Sequence, residues 1–219
     1  MSWINKDTEI YCSFAKKAGN TGCQMMNSAF YYYGLNKIYK SFSVDNIGLA
    51  VEAVETLDIK GFAITMPYKK EILEFVDDVD TNISEIGAAN TVINKQGRLK
   101  AYNTDYLAAL DYLTCYKKEI KLSYNGKLAI LGNGGYAAAV KAAASTLGIE
   151  WFLVTRHSWE IIKDIKDSVI YNCTPVENIQ VDTSNTFIDC IVTTETGRKL
   201  ATMQASHQFK LYTGLKFPY

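Results

Sequence analysis

Three glycines stand close together in LGNGGYAAA, residues 131–139: Gly132, Gly134 and Gly135. An apolar run precedes them and an alanine-rich run follows. Between a strand and a helix, such glycines permit a tight turn and let backbone approach a pyrophosphate closely. They also leave the first N–H groups of the helix facing the anion. The spacing is not the strict G-x-G-x-x-G, because the third glycine follows at once and small alanines come after it. A tight strand-to-helix loop with no ligand uses the same residues, so the turn by itself leaves both readings open. The next apolar run, WFLVTR, ends in Arg156. An acidic residue there would bond the ribose hydroxyls of NAD. An arginine suits a 2′-phosphate by its charge and planar fork, or else is a solvated surface side chain.

A second stretch brings different chemistry. GFAITMPYKK, residues 61–70, runs from a strand-like pattern into Thr65, Pro67 and Lys69. The locked φ of proline stops a strand and fixes a turn, so a hydroxyl and an ammonium arrive together at a strand end. The plainer reading of Lys69 is the first turn of an exposed helix.

The elements that must position these groups alternate. CQMMNSAFYYYG reads as a helix with Met26, Ala29, Phe30 and Tyr33 on one face and Gly34 just past its end. KIYKSFSV alternates like a strand. DNIGLAVEAVETL is amphipathic, with Ile47, Val51, Val54 and Leu57 on one side and Asp45 as the expected cap. GFAIT is then a strand and KKEILEFV a helix. ANTVINKQGRLKAYNTD carries the turn signal NKQG between two short strands and predicts a hairpin. After Asp105 a helix with Leu107, Leu110 and Leu113 at core spacing leads to a second unit. There a strand, the glycine turn and a long helix are followed by the strand WFLVTR, a brief helix near SWEIIKDI and the strands SVIYNCT and TFIDCIV, the alternation of a doubly wound parallel sheet. KLATMQASHQFKLYTG predicts a closing helix.

Composition sets the background. The 219 residues are 48% hydrophobic and 21% charged, with 23 basic and 23 acidic side chains and no net charge. That balance predicts neither a nucleic-acid surface nor a trap for acidic ligands, and a small-molecule substrate is the natural partner. The richest apolar run is broken by Lys141, and MSWINKDTEI lacks the pattern of a signal peptide. Cys12, Cys23, Cys115, Cys173 and Cys190 are scattered and odd in number, which argues against a disulfide frame. His157 and His207 are not grouped with other metal ligands. The expectation is a cytoplasmic protein with no membrane contact and no metal, a monomer or homodimer.

Several motifs in fixed order resemble the shikimate dehydrogenase family. GFAITMPYKK resembles its G-x-N-V-T-x-P-x-K, and IGAANTVINKQGRLKAYNTDY its I-G-A-V-N-T…G-x-L-x-G-x-N-T-D. LGNGGYAAAV is similar to G-x-G-G-x-x-x-A, VTRH to N-R-T, and YNCTP to N-A-T-P. MQASHQFKLYTG matches the closing M-L-x-x-Q-A…F-x-x-W-T-G, and NSAFYYYGLNKIYKSFSV matches H-N-x-x-F…G-L-x-x-x-Y. The resemblance runs nearly end to end.

It implies an α/β, two-domain fold. Residues 1–105, completed by 200–219, form the substrate-binding and catalytic domain, and residues 106–199 a trimmed Rossmann NADP-binding domain, with substrate in the cleft. The implied reaction is reversible reduction of 3-dehydroshikimate to shikimate with NADPH. Carried over by motif, Lys69 is the catalytic lysine and Asp105 its partner. Thr65, Asn90 and Gln204 contact substrate hydroxyls and carboxylate. Gly132, Gly134 and Gly135 form the pyrophosphate turn, Arg156 meets the 2′-phosphate, and Thr174 of YNCTP falls in the cofactor loop. The chemistry agrees: ketone reduction needs a hydride and a proton or positive group at the developing alkoxide, which a lysine beside an aspartate supplies.

The chain also departs from the pattern. The two serines of S-x-S-P are Asn20 and Gly22, its proline is Cys23, and the histidine before Asn27 is Met26. Asn20 can still donate through its amide, and Lys16 or Lys17 can add charge. Ala63 replaces the asparagine of N-V-T. Between FIDCIV and TTETGRKL the family carries a loop, a helix and a strand that this chain lacks. The alternative implied by these departures is a catalytically degenerate relative that binds a ligand or dinucleotide as a sensor or scaffold.

Overall fold

The computed structural model describes residues 4–122 and 126–219. They divide into two compact units, one running to Thr104 and including Ala205–Tyr219, the other spanning Asp105–Gln204.

The first unit is built on a six-stranded sheet. Its strands are β1 (Glu9–Ala15), β2 (Lys37–Ser43), β3 (Gly61–Ile64), β4 (Asp78–Val79), β5 (Thr91–Lys95) and β6 (Arg98–Tyr102), in the order β2-β1-β3-β5-β6-β4. β1 lies parallel to β2 and β3, while β3–β5 and β5–β6 are antiparallel. β1 is absent from the sequence reading because both its faces are covered. Cys12 and Phe14 join Phe62, Ile64 and helix α2 (Ile47–Thr56) on one side. Tyr11 joins Met26 and Phe30 of helix α1 (Thr21–Tyr32), with Phe209 and Tyr212, on the other. A strand buried on both faces shows no apolar–polar alternation.

Local chemistry fixes the connections. Asn27 on α1 pairs its amide with the backbone of Tyr39 on β2, donating to the carbonyl and accepting from the N–H at 2.8 Å each. The cap of α2 is Asn46, whose Oδ1 accepts from Leu49 N at 3.0 Å, and not Asp45. Asp45 instead takes the ammonium of Lys16 at 2.5 Å, which directs that charge to an ion pair. The β5–β6 hairpin turns through Gln96 and Gly97, both at positive φ (56° and 86°), as a two-residue primed turn requires. The expected helix KKEILEFV is a short 3-10 turn, Glu71–Phe75. Asp77 N reaches Leu99 O at 2.9 Å and Asp77 Oδ2 accepts from Leu99 N at 2.7 Å. That pairing pulls the chain onto the β6 edge as β4 before a helix can extend. A short helix, α3 (Ile83–Ile86), follows.

In the second unit four strands are all parallel: β7 (Lys127–Leu131), β8 (Glu150–Val154), β9 (Val169–Asn172) and β10 (Thr186–Asp189), ordered β10-β9-β7-β8. β7 crosses over to β8 on one side and lies beside β9 on the other, so its carboxyl end is a topological switch point. Helix α5 (Gly135–Thr146) buries Ala137, Ala139, Val140 and Ala143. The opposite face of the sheet, Ala129, Leu131 and Ile170, is covered by Ile162 of a 3-10 turn, Trp159–Asp164, and by Ile179 and Val181 of an irregular segment. Helix α4 (Thr104–Leu122) starts at the unit boundary. Its core face is Ala108, Ala109, Tyr112 and Leu113, while Leu107 and Leu110 are half-buried. β10 passes within five residues, 190–194, into helix α6 (Glu195–Thr213). Thr194 caps that helix, its Oγ1 accepting from Gly197 N at 3.0 Å. No described helix is long and apolar enough to cross a membrane.

Candidate active site

In the first unit the carboxyl end of β3 and the start of β5 converge. Ile64 N donates to Asn90 O at 2.8 Å, and Ala89 N donates to Lys69 O at 2.7 Å. The backbone of Lys69 is thereby held next to Asn90. Lys69 is half-buried, Thr65 is exposed just beyond β3, and the Met66–Pro67 peptide between them is cis.

Asn90 is the centre of a buried polar network. It is 4% exposed, and Thr91 and Thr104 are fully buried. Asn90 Oδ1 accepts from Thr104 N at 2.7 Å and lies 3.1 Å from each of the Thr91 and Thr104 hydroxyls. Asn90 Nδ2 donates to Thr104 Oγ1 at 3.0 Å. Thr91 Oγ1 in turn accepts from Gln208 Nε2 at 2.9 Å. Asn103, also buried, donates to Ala88 O at 2.8 Å and closes the loop that carries Asn90. Buried polar groups this well connected hold one geometry.

Three further residues carry the expectations made from the sequence. Asn20 is the N-terminal cap residue of α1, exposed, with no side-chain bond to the helix. Gln204 is half-buried on α6, one turn before Gln208. Asp105 is 6% exposed in the first turn of α4. Around Asp105 in its own unit, the Tyr136 and Tyr171 hydroxyls meet at 3.0 Å. Burial pushes Tyr136 and Cys173 well above their ordinary pKa values, and the Asp105 carboxylate adds to both shifts.

The second unit sets the glycine turn where the sequence expects it. Gly132 has φ +101°, a conformation that disfavours any side chain, and its N–H donates to Val154 O at 2.8 Å. A Cβ at Gly132 would lie 2.8 Å from the Thr174 methyl group. A Cβ at Gly134 would meet nothing within 4 Å. The side left open by Gly134 adjoins the first turn of α5, where unpaired N–H groups and the helix dipole favour an anion. Thr174 is fixed from below by Asn172, fully buried, whose Oδ1 accepts from Thr174 N at 2.9 Å and Thr174 Oγ1 at 2.7 Å. Asn172 Nδ2 donates to Asp189 Oδ1 at 3.0 Å and to Val176 O at 3.3 Å. Arg156 is exposed two residues beyond β8. A pyrophosphate at the turn and a phosphate near Arg156 therefore fit the donors present.

Sequence reasoning did not find Thr91, Asn172 or Gln208 as parts of these arrangements. Asn172 stands in YNCTP, and Gln208 follows Gln204 by one helical turn, so their positions were visible but their partners were not.

A mixed sheet carrying a buried amide network in one unit, and a parallel sheet opening into a glycine turn in the other, define a two-unit α/β protein with a Rossmann-type second unit. Residues 21–92 match the model of the shikimate dehydrogenase substrate binding domain. A shikimate dehydrogenase-like protein of Haemophilus influenzae is 37% identical over 147 residues, 67% of this chain and 53% of that protein. The NADP(+) shikimate dehydrogenase of Alkaliphilus metalliredigens is 36% identical over 144 residues, 64% of this chain and 49% of the enzyme. Among solved structures, the shikimate dehydrogenase of Aquifex aeolicus superposes with a TM-score of 0.83 at 27% identity, over 99% of this chain and 96% of that one. The chain belongs to the shikimate dehydrogenase family. It spans about half the length of the curated relatives it matches.

Proposed function

We propose that this protein is an NADP(H)-dependent oxidoreductase that interconverts 3-dehydroshikimate and shikimate, or a related hydroxylated cyclohexene carboxylate. The observation that carries the reading is the buried Asn90 network joined through backbone to Lys69. It presents a rigid amide beside a lysine, groups suited to a polyhydroxylated acid. In this reading Lys69 and Asp105 handle the proton at the reacting oxygen: in shikimate oxidation they take the hydroxyl proton, and in the reverse direction they return it. Thr65, Asn90 and Gln204 orient the acid, and Asn20 stands in for a serine hydroxyl. When bound, the dinucleotide supplies or accepts the hydride. Gly132, Gly134, Gly135 and the first turn of α5 hold its pyrophosphate, Thr174 closes over Gly132, and Arg156 meets the 2′-phosphate. Aromatic amino acid biosynthesis is the setting this reaction implies.

The test is NADPH formation with shikimate and with quinate, comparing the wild type with Lys69→Ala. Wild-type turnover should exceed the variant about a thousandfold, the usual reach of one acid–base group. No wild-type turnover on either acid would sink this reading. Arg156→Ala should weaken NADP⁺ much more than NAD⁺, and equal weakening would remove the 2′-phosphate role. A second reading, a dinucleotide or acid binder without turnover, is favoured by the exposed amide at Asn20 and by the direct passage of β10 into α6. Calorimetry of NADP⁺ on a turnover-negative wild type would support it.

A further inference from the structure

Two buried asparagines accept hydrogen bonds in the same way but finish differently. Asn172 Oδ1 and Asn90 Oδ1 each accept from the N–H and the hydroxyl of one threonine, Thr174 and Thr104. Asn172 Nδ2 spends both protons, on Asp189 and on Val176. Asn90 Nδ2 spends one, on Thr104 Oγ1, and its second proton is committed to no group among the described residues. The first amide is scaffold; the second keeps a donor in reserve.

Which way the Asn90 amide faces follows from its partners. Thr104 N can only donate, so the atom 2.7 Å from it is the carbonyl oxygen. Thr91 Oγ1, 3.1 Å from that oxygen, must point its single proton toward the Asn90–Thr104 pair. The Gln208 atom 2.9 Å behind Thr91 must then be the donor, Nε2. Gln208 is itself buried on α6, 4% exposed.

We propose that Gln208 is a positioning residue that acts through Thr91 to hold the Asn90 amide with one Nδ2 proton ready for a hydroxyl or carbonyl oxygen of the ligand. The proposal rests on the reading of Asn90 as a substrate contact. Gln208 touches no reacting atom; it supplies the N–H that leaves Thr91 only one direction in which to donate. An ionised glutamate at 208 has the same shape but no proton to give, which would reverse the polarity of the chain.

The experiment has two arms. In steady-state oxidation of shikimate, Gln208→Leu and Thr91→Val should each raise KM for the acid about tenfold, the size of one lost hydrogen bond. KM for NADP⁺ should stay put, and Thr91→Ser should restore the wild-type value. The two losses should not add in the double variant, because both break one chain. Gln208→Glu should show a KM that falls as pH drops and the carboxyl regains a proton, a dependence the wild type lacks. A lower melting temperature with unchanged KM would mean a merely structural role and would overturn the proposal. The second arm is the side-chain amide signal of Asn90 in a nitrogen-15 spectrum, assigned by its loss in Asn90→Asp. It should move in Gln208→Leu and Thr91→Val and stay in Thr91→Ser; an unmoved signal also overturns the proposal. If the wild type turns over no acid, the substrate reading fails by itself, and the amide signal still decides whether Gln208 orients Asn90.

Discussion

The two units prepare for ligands by opposite means. In the first, the candidate groups are side chains, buried and fixed by other side chains: Asn90, Thr91, Thr104 and Gln208 form one chain of hydrogen bonds. In the second, the candidate surface is backbone, made available because side chains are missing at Gly132 and Gly134. An amide network distinguishes a hydroxyl from a methyl group, since a wrong ligand leaves a buried donor unpaired. A glycine turn at a helix start recognises charge and shape, and accepts any anion that fits. In the proposed reading, the buried network of the first unit supplies selectivity for the acid, together with Asp105 and Gln204 of the second, and Arg156 discriminates between dinucleotides.

The comparison breaks most clearly at the two asparagines. Asn172→Ala removes a fully buried amide that serves four partner groups, and should cost about 3 kcal/mol of stability in urea unfolding. Asn90→Ala should cost less, about 1–2 kcal/mol, and should raise KM for the acid well beyond what the stability change explains. Equal behaviour of the two variants would erase the distinction between scaffold and reserve donor.

The two glycines sharpen the other half. Gly132→Ala forces a side chain into φ +101° and against the Thr174 methyl group, so it should destabilise the unit by about 2 kcal/mol. Gly134→Ala has open space for its methyl group and an extended backbone, so stability should stay within about 0.5 kcal/mol. Dinucleotide affinity should nonetheless fall about tenfold if the ligand approaches there. Calorimetry with NADP⁺ and thermal unfolding separate the two outcomes; unchanged affinity in Gly134→Ala would remove the pyrophosphate from that position.

The smallest effect concerns a buried phenol of the first unit. Tyr212 Oη is buried with no hydrogen-bond partner among the described residues, and burial pushes its pKa well above the usual value. Tyr212→Phe should therefore leave stability unchanged or raise it by about 1 kcal/mol, against the cost expected for a satisfied phenol. A clear loss of stability in chemical denaturation would mean that the hydroxyl has a partner in solution.

Much of this was readable from the letters. The hairpin at NKQG follows from Gly97 at positive φ, and the glycine turn from its place between an apolar run and an alanine-rich one. The helix and strand periods located α1, α2, α5 and α6. What failed did so for identifiable reasons. β1 carries apolar residues on both faces, so period-two alternation was absent. KKEILEFV has a helical pattern, but the Asp77–Leu99 pairing captured its end. Asp45 is as good a cap as Asn46 by type, and the ion pair with Lys16 took it away.

The sequence by itself determined the periodic elements, the glycine turn and the ordered motifs of the family, because each depends on residues close together in the chain. Only the tertiary structure decided that Gln208 lies behind Thr91, 117 residues earlier, and that, among the described residues, Asn172 is saturated while Asn90 is not. Hydrogen-bond satisfaction is a property of partners brought together by folding, and no local pattern of residue types encodes which proton of a buried amide remains to be given.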